Sequence, residues 1–286
     1  MELSLEFWYL LPISLMIATI AMSTGVGGAV FFSPLFMLVL GLEPTVAIGT
    51  ALATELFGFT SGLIAYSRAR LIDYKLAMNL LLFSLPLAIL GTFYGSLIPS
   101  IILKAIFAVG IIFIGYQIFS AWRKEEREKK ETEYKNEFAD NFESELTDAK
   151  GNTYRYTVCN KNTGRLFAAI GGGFLGMISV GLAELQEYQL VARCKVPTPV
   201  AVGTSIFVVV ITVLVASIGH FYAFSQESPE TVNQVVNLLL FTAPGVIAGG
   251  QIGAKLQSLL PEDKMKVGIS VLFVLIGIFM LFTLLK

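Results

Sequence analysis

Ten apolar runs, separated by short polar or glycine-rich breaks, fill almost the whole chain outside one charged stretch near its middle. A water-soluble domain would need polar side chains along every helix, and these runs supply too few. Of the 286 residues, 55% are hydrophobic and 14% are charged, with a mean hydropathy of +0.73. The first run, residues 7–24, lacks the basic start and cleavage site of a signal peptide. The sequence therefore predicts an all-α polytopic protein embedded in a lipid bilayer.

The charged stretch from Arg123 to Arg165 holds ten of the 20 Lys and Arg residues and ten of the 21 Asp and Glu residues. Residues 123–133 have the mixed-charge pattern of a helix, and residues 145–158 have the pattern of two strands around a turn. We therefore predict a soluble linker that carries a helix extension and a β-hairpin. The predicted parts are a first membrane repeat (1–122), a cytoplasmic linker (123–165) and a second membrane repeat (166–286).

The two halves of the chain share a short phrase and several spaced glycines. The phrase is Ala-Ile-Gly-Thr-Ala at 47–51 and Ala-Val-Gly-Thr-Ser at 201–205. Further along, Gly-x-x-x-Gly at 91–95 matches Gly-x-x-x-Gly at 249–253 in the same order. Collinear matches of this kind indicate a duplicated unit, and membrane transporters built from two copies commonly bind substrate where the copies meet.

Basic residues in the loops indicate how the two copies are oriented. Arg68, Arg70 and Lys75 follow the first-half segment that carries the phrase, whereas Arg193 and Lys195 precede its second-half counterpart. Because positive loops stay in the cytoplasm, the equivalent segments should run in opposite directions. This favours two inverted repeats, each made of a short re-entrant helix pair and three transmembrane helices. Four plain crossings per half, which would make the repeats parallel, is the alternative.

A glycine-rich turn lies between the two short segments of each half, at residues 23–28 and 179–184. Non-helical backbone at membrane depth has to be buried in protein or line a wet cavity. Its N–H groups, together with the N-terminal ends of the following helices, could bind an anion. Alternatively, the glycines only allow close helix packing. The candidate substrate-binding residues are Gly25, Gly27, Gly28, Thr50, Gly181, Thr204 and Ser205.

Four short motifs stand out along the two halves: Gly25-Val26-Gly27-Gly28 with Ser33-Pro34-Leu35, Ala47-x-Gly49-Thr50, Gly181-x-x-Glu184 and Ala201-Val202-Gly203-Thr204-Ser205. Together they resemble the sulfite exporter TauE/SafE (TSUP) family of membrane permeases, over nearly the whole chain. The resemblance implies transport of a small sulfur-containing anion, such as sulfite, thiosulfate or an organosulfonate. In the second copy, Leu182 and Ala183 replace glycines expected from the family pattern.

Two carboxylates fall inside apolar segments, where an ionisable side chain is costly and is a functional candidate by default. We expect Glu184, and after it Glu55, to carry protons coupled to anion movement. The alternative for each is a carboxylate that only locks two helices together by hydrogen bonds. His220 is expected to be an interfacial polar residue, and Cys159 and Cys194 are expected to be free thiols.

The sequence thus favours a proton-coupled secondary transporter of the cell membrane that works by alternating access. An anion channel is the nearest rival, and a membrane-embedded signalling or scaffold protein is a more distant one. We do not expect an enzyme, because the chain has a single His and lacks the common hydrolase and metalloprotease motifs. No cofactor, metal or nucleic acid partner is expected.

Overall fold

The computed structural model describes residues 5–24, 27–131, 144–256 and 262–284. The helices of the first half are α1 (Leu10–Thr24), α2 (Ala29–Pro34, continued by a π-helical turn over Leu35–Val39), α3 (Pro44–Arg68), α4 (Tyr74–Leu97) and α5 (Ser100–Glu131). Strands β1 (Ser144–Thr147) and β2 (Thr153–Tyr156) follow in the linker. The helices of the second half are α6 (Lys161–Ile178), α7 (Leu182–Glu187, continued by a π-helical turn over Tyr188–Arg193), α8 (Thr198–Glu227), α9 (Pro229–Leu256) and α10 (Glu262–Leu284).

Six helices, α3 to α5 and α8 to α10, are long and apolar enough to cross a membrane. The helix α1 and the segment Ala29–Val39 are apolar but shorter. In the described parts of the chain, each half therefore has two shorter helices followed by three long ones. This confirms the predicted helical membrane protein and the small hairpin in its linker. The predicted helix extension of the linker is the continuous end of α5, which reaches Glu131.

Local sequence signals fix where several helices begin. Pro44 is the first residue of α3, a position where the missing N–H costs nothing. Asp73 caps α4, because its carboxylate accepts a hydrogen bond of 2.9 Å from the Leu76 N–H. Asn160 caps α6 in the same way by accepting from the Thr163 N–H at 3.2 Å. Helices α3, α4 and α6 therefore start at points that the local sequence defines.

Helices α4 and α6 approach so closely that their contact depends on glycine. A Cβ atom added at Gly91 of α4 would meet the carbonyl oxygen of Gly173 in α6. A Cβ atom added at Gly172 of α6 would meet the carbonyl oxygen of Ser84 in α4. Small residues let helix backbones touch in this way inside a membrane.

Helices α1 and α9 form the matching contact. A Cβ atom at Gly249 of α9 would meet the Leu15 carbonyl oxygen of α1, and one at Gly253 would lie 2.5 Å from the Thr19 carbonyl oxygen. The two Gly-x-x-x-Gly pairs of the sequence thus have equivalent roles. In each case a long helix of one half packs on a shorter helix of the other half.

Helices α3 and α8, which carry the repeated phrase, lie side by side in opposite directions. Near the start of α3, a Cβ atom at Gly49 would lie 2.7 Å from the Cβ of His220, close to the end of α8. Near the start of α8, a Cβ atom at Gly203 would lie 3.1 Å from the Tyr66 ring, close to the end of α3. Thr50 and Thr204 therefore sit at opposite ends of this helix pair.

The linker hairpin is docked on the loop between α3 and α4. Its strands pair antiparallel, with Ser144 opposite Tyr156. The Ala149 N–H donates to the Ala69 carbonyl oxygen at 2.9 Å, and the Tyr156 hydroxyl donates to Asp73 at 2.8 Å. Tyr156 is only 4% exposed, and this burial, with the neighbouring Asp73 carboxylate, raises the pKa of its phenol. The hairpin is thus fixed to the membrane part of the molecule.

The prediction of two free thiols is wrong. Cys159 and Cys194 form a disulfide, with their Cα atoms 5.0 Å apart, and the described residues contain no free cysteine. In the sequence, one cysteine lies in a polar linker and the other beside a membrane segment, which suggested that the two side chains are far apart in the fold. The linker instead folds back over the membrane part, so that its last residues reach the end of the π-helical turn that follows α7.

The hairpin turn depends on one carboxylate, which gives a first testable prediction. Asp148 accepts hydrogen bonds from the N–H groups of Lys150 (2.8 Å) and Asn152 (2.9 Å), and from the Asn152 side-chain amide (2.9 Å). These hydrogen bonds, above all the one from the Asn152 side-chain amide, hold the pKa of Asp148 below its usual range. The carboxylate therefore stabilises the turn above the unfolded-state pKa, and this contribution is lost as the pH falls through the lower folded-state pKa. We expect Asp148→Ala to speed proteolytic cleavage of the hairpin at neutral pH.

The matched control is the ion pair of Glu145 with Arg155 on the same hairpin. Its oxygen and nitrogen lie 3.1 Å apart, and both side chains are more than half exposed. Exposed pairs contribute little to stability, so Glu145→Ala should cleave at the wild-type rate. Equal cleavage of the Asp148→Ala and Glu145→Ala proteins would contradict this account of the turn.

Candidate functional site

The breaks between the two shorter helices of each half lie against each other in the interior of the bundle. Gly181 precedes α7 with a φ of +114°, a backbone conformation that favours glycine. Gly28 precedes α2, and its carbonyl oxygen accepts from the Phe31 N–H at 3.0 Å. Across the two halves, the hydroxyl oxygens of Ser33 and Ser179 lie 2.7 Å apart and are buried. The two breaks thus form one buried site.

Glu184 joins the two breaks. One of its carboxylate oxygens accepts a hydrogen bond from the Gly181 N–H at 3.0 Å, within its own half. The other accepts from the Gly27 N–H of the first half at 3.2 Å. Glu184 is 6% exposed, so this contact is made away from solvent.

Glu55 approaches the same point from α3. Its carboxylate accepts a hydrogen bond of 3.2 Å from the Ala29 N–H at the start of α2, and the side chain is 4% exposed. A Cβ atom added at Gly27 would lie 3.1 Å from an oxygen of Glu55 and 3.2 Å from an oxygen of Glu184. The two acidic side chains therefore flank Gly27, and a side chain at this position would crowd both.

The main-chain N–H groups that the sequence analysis assigned to an anion are thus occupied by carboxylates of the protein itself. Three N–H groups, from Gly27, Ala29 and Gly181, converge on Glu55 and Glu184. Such a cluster of donors is suited to holding negatively charged oxygen atoms. The site therefore has the chemistry of an oxyanion site, with two carboxylates as the present acceptors.

Two small cavities lie close to residues of the candidate site. One, of about 20 Å3, is lined by Glu55 and Gly28 among apolar neighbours. The other, of about 10 Å3, is lined by Glu187 and Ser205. The buried ring of Phe59 lines both cavities. Each cavity is about the size of one water, so neither has room for an oxyanion in this conformation.

The other candidate residues have separate surroundings. The Thr50 hydroxyl donates to the Val46 carbonyl oxygen of its own helix at 2.7 Å. The Thr204 hydroxyl accepts from the Asp73 N–H at 3.0 Å, at the loop that holds the linker hairpin. Ser205 is buried, and within the described part of the chain its hydroxyl has no hydrogen-bond partner. Gly25 lies outside the described residues.

Some buried polar groups near the site were not singled out from the sequence. Gln186 is 2% exposed, and neither atom of its amide finds a partner among the described residues. The hydroxyl oxygens of Thr54 and Thr242 lie 3.0 Å apart between α3 and α9. Gln186 could have been found by the signal that marked Glu184, because both are polar residues within the same apolar run.

His220 does not lie at an exposed helix end. It is buried, and its Nε2 lies 3.0 Å from the Gly176 carbonyl oxygen of α6. The packing of α8 against α6 therefore covers the ring, and its interfacial position stays a prediction. Across the described ranges, no group of three or more His, Cys, Asp or Glu side chains is arranged to hold a metal ion.

Comparisons with known proteins agree with this architecture. The sequence model of the family described as "Sulfite exporter TauE/SafE" matches residues 10–280. The chain is 24% identical over 280 residues to the probable membrane transporter protein YunE of Bacillus subtilis (strain 168), covering 96% of each chain. It is 42% identical over 72 residues to the probable membrane transporter protein YjnA of the same organism, covering 24% of this chain and 26% of that protein. No solved structure matches.

Six apolar helices around a buried polar site, together with these relatives, define a multi-pass membrane transporter. The chain belongs to the sulfite exporter TauE/SafE family, because the family match covers nearly all of it. The resemblance seen in its glycine motifs is thereby confirmed.

Proposed function

We propose that this protein is a secondary transporter that moves a small sulfur-containing anion, such as sulfite, thiosulfate or an organosulfonate, across the cell membrane. The observation that carries the proposal is the convergence of three main-chain N–H groups from both halves on two buried carboxylates. The family description, which names a sulfite exporter, supports the sulfur-containing anion. The substrate oxygens would take the places that the carboxylate oxygens occupy in this conformation.

Proton coupling follows from the competition for these donors. While Glu55 and Glu184 are ionised, they hold the N–H groups and repel an incoming anion. A proton on either carboxyl group removes its charge and weakens its hold on the main chain. Anion and proton would therefore occupy the site together, and Glu184 and Glu55 are the proton carriers.

Alternating access is supported by the small size of the cavity that Glu55 lines, which holds about one water. A larger cavity of about 690 Å3 beside Gly181 is lined mostly by apolar side chains, which do not favour an anion. An oxyanion can therefore reach Glu55 only if the surrounding helices separate. A permanently open pore would require a continuous wide path beside these residues. We therefore favour a carrier over an anion channel.

Inverted repeats would supply the two states of the carrier. A two-fold relation between the halves is supported by the opposite directions of α3 and α8. It is also supported by the contacts in which a long helix of one half packs on a shorter helix of the other, α4 on α6 and α9 on α1. The end of α3, the start of α8 and the hairpin meet at one face, where Arg68, Arg70 and Lys195 also lie in sequence. Because positively charged loops stay in the cytoplasm, this face is the cytoplasmic one. Each pair of shorter helices enters the membrane and returns to the side from which it entered.

Reconstituted protein provides the test. In liposomes with a pH gradient, we expect saturable uptake of labelled sulfite or thiosulfate, accelerated by protons on the side of the anion. An anion loaded inside should also drive counterflow of the labelled anion, because a carrier exchanges its cargo. If sulfur anions instead cross as an ohmic current and show no counterflow, that result would contradict a carrier and favour an anion channel. A failure of every sulfur anion tested to move would contradict the substrate class.

A further inference from the structure

The Cys159–Cys194 disulfide ties the linker to the second half at the face where the two halves meet. On its other side the linker is held by the first half, through the Tyr156 hydroxyl on Asp73 and the Ala149 N–H on the Ala69 carbonyl oxygen. The Asp73 N–H in turn donates to Thr204 at the start of α8. The linker thus spans both halves, and the disulfide is its covalent attachment to the segment that follows the candidate site.

The two sulfur atoms have different surroundings. Cys159 is half-buried at the end of the linker, whereas Cys194 is 9% exposed. The Gln189 side-chain amide donates to the Cys194 Sγ at 3.3 Å, and the Arg193 guanidinium donates to the side-chain oxygen (Oε1) of the same amide at 3.3 Å. The guanidinium therefore orients the amide so that its N–H points at the Cys194 sulfur. Such a donor stabilises a thiolate, which makes Cys194 the better leaving group.

Positive charge surrounds the bond in the sequence. Lys161 follows Cys159 by two positions, and Arg193 and Lys195 flank Cys194 directly. The Arg193 guanidinium also lies 5.9 Å from the centre of the Phe167 ring, which keeps it beside the π-helical turn. A guanidinium held beside the bond, as that of Arg193 is, attracts a small anionic nucleophile and stabilises a developing thiolate.

A disulfide on a cytoplasmic face is unusual as a permanent brace. Thiol reductants keep most cytosolic cysteines reduced, and the disulfides found there are mainly transient or sensing ones. If the linker face is cytoplasmic, as proposed above, the Cys159–Cys194 bond belongs to the reactive class.

We propose that the Cys159–Cys194 disulfide is a sulfite-reactive latch. The sulfur lone pair of sulfite attacks the Cys159 Sγ, a new bond forms between these two sulfur atoms, and the Cys159–Cys194 bond breaks. The electron pair of the broken bond leaves on the Cys194 Sγ as a thiolate, so sulfite is oxidised, Cys194 is reduced and no proton is transferred. The products are an S-sulfonate on Cys159 and a free Cys194 thiolate that accepts the Gln189 N–H.

The reaction is reversible, because the Cys194 thiolate can attack the Cys159 S-sulfonate and expel sulfite. The fraction of open latches therefore follows the concentration of sulfite on the linker face. This inference rests on the proposed function, since it makes the anion that is transported also the signal that frees the linker. With the bond open, the end of the linker is no longer held covalently to the segment at Cys194.

The experiment is adduct mapping on the full-length protein, purified without reductant and treated with sulfite. Peptide mass analysis should find one SO3 group on Cys159, and a maleimide should label Cys194 alone. Arg193→Gln and Gln189→Leu should each slow adduct formation about tenfold, because the leaving thiolate loses an oriented donor. Arg155→Gln, which removes an equal charge from the hairpin, should react at the wild-type rate.

Three results would overturn the latch. The first is an SO3 group on Cys194, and the second is no adduct at sulfite concentrations that cleave the same bond in urea-unfolded protein. The third is cleavage of the folded protein by glutathione but not by sulfite, which would mark a general thiol switch.

In transport assays, we expect sulfite treatment to make wild-type protein move thiosulfate faster. The Cys159→Ser/Cys194→Ser double variant should transport thiosulfate as fast as the treated wild-type protein without any treatment, and sulfite should not change its rate. An unchanged rate on complete adduct formation would overturn the coupling of latch and transport.

The two proposals fail in different ways. Protein that forms the Cys159 adduct but moves no sulfur anion in any state of the bond would contradict the proposed function. Protein that transports sulfur anions without forming the adduct would contradict only the latch.

Discussion

Proteoliposomes containing Glu184→Gln should show no pH-dependent anion transport, although the protein inserts and folds. The glutamine side chain has the same size, and its carbonyl oxygen can still accept from the Gly181 or Gly27 N–H. It cannot ionise, so protons no longer decide whether the N–H groups are held by the protein or available to substrate. The measurement is initial uptake of labelled thiosulfate at several external pH values, with circular dichroism and size-exclusion profiles to verify folding.

The matched control is Glu230→Gln. Glu230 lies exposed in the first turn of α9, away from the two breaks, and its neutralisation should leave uptake and its pH profile unchanged. Glu55→Gln should weaken the pH dependence as well, because Glu55 holds the Ala29 N–H beside the same glycine. Wild-type uptake and pH dependence in Glu184→Gln would remove Glu184 from the mechanism and leave it as a structural cap of α7.

A second large effect is expected from Gly172→Ala. The added methyl group would meet the Ser84 carbonyl oxygen of α4 and would lie 2.8 Å from the Ser84 Cα, so α4 and α6 would have to move apart. Overpacking of a close contact typically costs about 1–3 kcal/mol, and backbone atoms leave little room for relief. We expect a clearly lower melting temperature in detergent and reduced yield of folded protein.

The neighbouring Gly173 provides a control within the same run of three glycines. A Cβ atom at Gly173 would have only ordinary contacts, the nearest at 3.7 Å to the Leu87 carbonyl oxygen. Gly173→Ala should therefore fold normally and gain up to about 1 kcal/mol from the better helix propensity of alanine. Equal destabilisation by the two substitutions would show that the run is sensitive to any side chain rather than to this contact.

Much of the helical architecture could be predicted because hydropathy and turn signals are properties of local sequence. The order of shorter and longer helices and the hairpin near residues 145–158 both follow from local patterns. The disulfide could not be predicted from local patterns. Cys159 and Cys194 are 35 residues apart in sequence, and their pairing depends on how the chain between them folds back. Local patterns cannot specify such a return path.

The candidate site was predicted in part. The glycine breaks and the acidic side chains Glu55 and Glu184 were recognised, and the structure brings Gly27, Gly181 and both carboxylates together. That the carboxylates would occupy the N–H groups was not predicted, because it depends on contacts between helices distant in sequence. Thr50 and Thr204 were both assigned to one substrate site from the repeated phrase. The structure instead places them at opposite ends of the antiparallel pair α3 and α8.

The contacts of α4 with α6 and of α9 with α1, each made between the two halves, limit which parts of the molecule can move as units. Helix α1 packs backbone against backbone on α9 of the other half, and α6 packs in the same way on α4, so the two halves of the sequence are interlocked. The bodies that rotate during a transport cycle would be hybrids, one built around α1 and α9 and the other around α4 and α6. Fragments produced by cutting the chain in its linker would each lack half of every hybrid, and would become stable only after recombining.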